Sequence, residues 1–81
     1  MTVNVIFFAR LREKMGIPEV DIELKNSISI VQFQELLTIQ YPQFADLPQP
    51  IVVAINHEFA QPEQMISDGD EVAFFPPVTG G

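Results

Sequence analysis

The chain has 81 residues, enough for one small domain that buries about 60–65% of the surface its unfolded form would expose. Chemistry therefore belongs at a surface, a tail or an interface and not in a deep cavity. Hydrophobic residues make up 47% and charged residues 19%, as in an ordinary folded domain, and the absence of cysteine excludes disulfides and thiol catalysis. Eleven acids against four bases leave a net charge of −7, which opposes nucleic-acid binding and favours a basic partner.

Met1 to Val5 has neither the basic flank nor the small-residue cleavage site of a signal peptide. No stretch approaches the roughly 20 apolar residues of a membrane span. A cytoplasmic chain that meets no membrane is the expectation.

Val3 to Phe8 alternates over β-favouring residues, with Val3, Val5 and Phe7 on one face and Asn4, Ile6 and Phe8 on the other. A first strand is predicted there. Arg10 to Met15 suits a short helical turn closed by Gly16 in a left-handed cap, with Met15 at the edge of the core. Val20, Ile22 and Leu24 alternate with Glu19, Asp21 and Glu23, giving a second strand with one wet face. The two strands suit a hairpin with a long connection.

Ser29 followed three residues later by Gln32 matches a capping box. Ile30, Phe33, Leu36 and Leu37 recur at helical spacing, with Tyr41 one turn on, and Pro42 ends the pattern. One substantial helix is predicted over Ile30 to Gln40. Gln43 to Pro50 reads as loop. Ile51 to Ile55 is a dense apolar run that suits a buried strand, and Asn56-His57-Glu58 turns into a short strand around Phe59. Ser67-Asp68-Gly69-Asp70 is a strong turn signal before a last strand, Glu71 to Phe75. The order strand, strand, helix, strand, short strand, strand is α+β on a single sheet. A helix laid across a mixed four- to five-stranded sheet is the β-grasp arrangement, whose first and last strands lie side by side at the centre.

Residues 1–75 form the predicted domain and 76–81 a flexible tail. Pro76 and Pro77 fix φ and remove two backbone donors, ending the strand in an extended exit. The six residues from Pro76 to Gly81 span at most about 20 Å. Gly80 and Gly81 carry no side chains and can enter a channel too narrow for other residues. Two terminal glycines alone fit a frayed terminus; on a β-grasp pattern they point to chemistry at the Gly81 carboxylate.

The run Asp68-Gly69-Asp70-Glu71-Val72-Ala73-Phe74-Phe75-Pro76-Pro77-Val78-Thr79-Gly80-Gly81 resembles the small subunits of molybdopterin synthase, ubiquitin-like sulfur carriers, almost residue for residue. Val5 to Glu13 and Val53-Ala54-Ile55-Asn56 resemble the same family, and the helix and loops match it loosely. The resemblance implies that an activating enzyme uses ATP and magnesium to adenylate Gly81, which then becomes a thiocarboxylate. It implies that the tail, with Gly80, enters the synthase large subunit and donates sulfur to cyclic pyranopterin monophosphate. Two donations build the dithiolene, in a heterotetramer of two small and two large subunits. The chain itself binds no cofactor or metal on this reading, and it catalyses only as part of the sulfurtransferase.

Alternation places Ile6, Phe8 and Phe75 outward together at the root of the tail, with Phe59 as a further member. Exposed aromatic patches mark interaction sites. The expected partner interface is Phe8, Phe59, Phe75, Pro76, Pro77, Val78 and Thr79. His57, the only histidine, reads as a loop residue, since a metal site needs several ligands. Asp68, Asp70 and Glu71 lack EF-hand spacing and read as a turn and the start of a strand. Arg10, Arg12 and Lys14 either meet a partner or form a solvated helical turn. Three other functions fit parts of the pattern: a sulfur carrier of a thiamine-type pathway, a ubiquitin-like protein modifier, and a pure binding module.

Overall fold

Strand β1 (Thr2–Phe7) is the axis of the fold, which is described by a computed structural model over residues 1–77. Val78, Thr79, Gly80 and Gly81, and the flexibility expected of the tail, lie outside the described residues. After β1 come α1 (Arg10–Met15), β2 (Glu19–Glu23), α2 (Ile30–Gln40), β3 (Val52–Ile55), β4 (Glu58–Phe59) and β5 (Glu71–Phe75). The sheet order is β2-β1-β5-β3-β4. β1 runs parallel to β5 and antiparallel to β2, while β3 pairs antiparallel with both β5 and β4. This is the mixed sheet of a β-grasp, with its first and last strands adjacent.

The alternation in β1 and β5 sorts residues between two faces. Val3, Val5, Phe7, Val72 and Phe74 are all at most 1% exposed, and they pack with Ile30, Phe33 and Leu37 of α2 in one core. Burying each such side chain stabilises the fold by about 1.5–3 kcal/mol. Helix α2 starts where its cap dictates. The Ser29 hydroxyl accepts from the Gln32 amide at 3.2 Å, and the Gln32 side chain accepts from the Ser29 amide at 3.0 Å. Gly16 closes α1 with φ 80°, a left-handed conformation that favours glycine.

One segment differs from the sequence expectation. Pro42 does stop α2, but the chain then makes a 3₁₀ turn, Pro42–Asp46, where an irregular loop was predicted. Proline at the first position of such a turn is pre-organised for it. The turn delivers Phe44 and Leu47 to the core, 4% and 3% exposed. The Phe44 ring meets Phe74 edge-on, with centroids 5.3 Å apart.

Candidate functional site

The sheet face turned away from α2 carries a row of small and apolar residues. Across the strands Ile6 lies opposite Ala73, Ala73 opposite Ala54, and Ala54 opposite Phe59. Beside that row, Phe8 and Phe75 stack with centroids 4.6 Å apart and ring planes at 5°. Phe8 follows directly on β1, and its amide donates to the Phe74 carbonyl at 3.1 Å. That bond extends the β1–β5 register far enough to bring the two rings together. Phe8 is 41% exposed, Phe59 is 82% exposed and Phe75 is half-buried. Together these side chains wall a cavity of about 300 Å³ whose alanines form its floor.

Phe59 owes its position to the turn before it. Asn56 and His57 have φ of 50° and 73°, the positive pair of a two-residue hairpin turn. Asn56 also locks the turn to β5. Its amide donates to the Glu71 carbonyl at 2.8 Å, its side-chain oxygen accepts from the Glu71 amide at 2.9 Å, and its side-chain nitrogen donates to Asp70 at 2.9 Å. Asp70 in turn accepts from the Ser67 amide at 2.7 Å, and Asp68 accepts from the Thr2 amide at 2.8 Å. These carboxylates organise a turn; among the described residues no group of three or more His, Cys, Asp or Glu could hold a metal.

Sequence reasoning assigned Phe8, Phe59 and Phe75 to one side, and the fold brings them to the same cavity. Half-buried Pro76 and Pro77 follow from the end of β5, so the tail is rooted beside the aromatic pair. Two further residues of the cavity lie outside the expected partner interface. Glu71 and His57 line it as well, with the imidazole Nε2 3.5 Å from the Glu71 carboxylate. The alternation Glu71, Ala73, Phe75 carried the signal for Glu71. Arg10, Arg12 and Lys14 are exposed on α1.

Residues 5–81 match the ThiS family. The chain belongs to the ThiS family. This ThiS-family chain is 35% identical to the molybdopterin synthase sulfur carrier subunit of Mycobacterium tuberculosis, over 98% of its own length and 96% of that protein's. It is 36% identical to the Haemophilus influenzae subunit of the same name, covering 98% of this chain and 99% of the relative. Its fold superposes on SAMP1 of Haloferax volcanii with a TM-score of 0.84 at 26% identity, over 100% of both chains. Homology thus groups this ThiS-family member with molybdopterin synthase sulfur carrier subunits, and its architecture is that of ubiquitin-like carriers.

Proposed function

We propose that this chain is the sulfur-carrying small subunit of a molybdopterin synthase and that Gly81 is the residue that carries the sulfur. The identity to synthase sulfur carrier subunits over nearly the whole of both chains carries this reading. An activating enzyme uses ATP and magnesium. The Gly81 carboxylate attacks the α-phosphorus of ATP and pyrophosphate leaves. A sulfur nucleophile then attacks the acyl carbon and AMP leaves, producing a thiocarboxylate. The synthase large subunit docks on Phe8, Phe59 and Phe75 and admits Pro76 to Gly81 into its active site. There the thiocarboxylate sulfur bonds to a carbon of cyclic pyranopterin monophosphate, displacing an oxygen leaving group. Water then cleaves the acyl–sulfur bond, which leaves the sulfur on the pterin and regenerates the Gly81 carboxylate. Docking has to be accurate, because misplacing reacting atoms by about 1 Å can lower the rate about a hundredfold.

The test is deletion of Gly81, assayed for dithiolene formation with the large subunit, the activating enzyme, a sulfur donor and the pterin precursor. Loss of product is expected, and normal turnover without Gly81 overturns the reading. The likeness to SAMP1, named in related structures a small archaeal modifier protein, favours a second reading, conjugation to other proteins. Mass spectrometry separates the two. A carrier gains a sulfur-for-oxygen replacement at its end, whereas a modifier appears as isopeptide-linked ladders.

A further inference from the structure

The cavity on the outer sheet face is apolar except at one end. Its floor is Ala54 and Ala73, its walls are Phe8, Phe75 and Phe59, and Glu71 closes it. The Glu71 side chain is 32% exposed, and its basic neighbour within 4 Å is His57, which is 86% exposed and carries charge only when protonated. Among the described residues, no Lys or Arg pairs with Glu71. In the free chain about a third of the Glu71 side chain is open to solvent. A partner that covers the three phenylalanines also covers Glu71, because all four line the same space. An ionised carboxylate that loses its water without gaining a partner is strongly penalised.

We infer that the docking partner inserts an arginine side chain into this cavity, with its guanidinium on the Glu71 carboxylate. The proposal rests on the reading that this face docks the synthase large subunit. Charge complementarity favours a cation, since the chain carries −7 overall. The apolar walls of the cavity favour arginine over lysine, because a guanidinium is less strongly hydrated than an ammonium and pairs with a carboxylate through two hydrogen bonds. The paired alanines keep open a cavity of about 300 Å³, and a larger residue at either position would fill part of it. Glu71 therefore sets which partner the aromatic patch accepts.

Titration calorimetry of the full chain against the large subunit, over a series of salt concentrations, tests this. Glu71→Gln is expected to weaken binding at least about tenfold and to flatten its salt dependence. The monomer's melting temperature should change little, because Asn56 bonds only the Glu71 backbone and the His57 contact is exposed. Phenylglyoxal footprinting at saturating concentration should find one large-subunit arginine protected by the native chain and reactive with Glu71→Gln. If Phe75→Asp abolishes binding while Glu71→Gln changes neither affinity nor footprint, the arginine proposal is overturned and the docking reading survives. Protection of a lysine alone also overturns it. If neither substitution affects binding, the docking reading itself fails.

Discussion

Adjacent phenylalanines in β5 should separate folding from partner binding. Phe74 is fully buried against Phe7 and Phe44, whereas Phe75 faces the other way and stacks on Phe8. Phe75→Asp removes a stacked pair worth about 0.5–1.5 kcal/mol. A domain of this length has a stability of about 4–12 kcal/mol, so the variant stays folded. On the proposed docking face the same change removes an aromatic anchor and introduces a charge that docking must bury. An anchor loss of about 2 kcal/mol or more corresponds to at least about thirtyfold in affinity, and the buried charge adds to that. Phe74→Ala should do the reverse, costing about 3–5 kcal/mol of stability through the cavity it leaves. Urea denaturation followed by circular dichroism reads the first quantity, and calorimetry with the large subunit reads the second. A Phe75→Asp monomer that is unfolded, or one that binds within about threefold of the native chain, refutes the assignment of faces on which this reasoning depends.

Two further changes probe how the scaffold holds the site. Ser29→Ala removes one half of the capping box and should lower stability by about 1 kcal/mol, visible as a lower urea midpoint with an unchanged slope. Asn56→Ala leaves the Glu71 amide and Asp70 without their partner and forces alanine to hold a φ of 50°. A loss of about 1–3 kcal/mol is expected, measured the same way, together with weaker partner binding because the turn that places Phe59 loosens.

Much of this arrangement could be read from the chain, and the reasons are local. The capping box, the stop at Pro42 and the left-handed Gly16 are each decided by a few neighbouring residues, and all three hold. Strict alternation in β1 and β5 sorts the side chains because each strand is central, so its register is pinned on both sides. Phe44 and Leu47 escaped because each is a lone apolar residue in a proline-rich stretch with no period to follow. Their burial depends on how the 3₁₀ turn folds back under the sheet, a tertiary outcome. Glu71 escaped for a different reason. Its place in the turn-and-strand pattern was evident, but its role in the cavity depends on cross-strand neighbours from β1, β3 and β4.

The central pairing of β1 with β5 links what a carrier must do in two places. The end of β1 supplies Phe8, and the end of β5 supplies both Phe75 and the root of the tail at Pro76. A bulge or one-residue slip between these strands would flip Phe75 into the core, expose Phe74 and turn the tail's root relative to the docking patch. The proposed dock and the root of the tail at Pro76 are therefore not independently adjustable, because one parallel ladder positions both. Changes that repack the core without shifting that ladder should leave carrier function intact. Changes that slip it should abolish partner binding and sulfur delivery together, even where the domain remains folded.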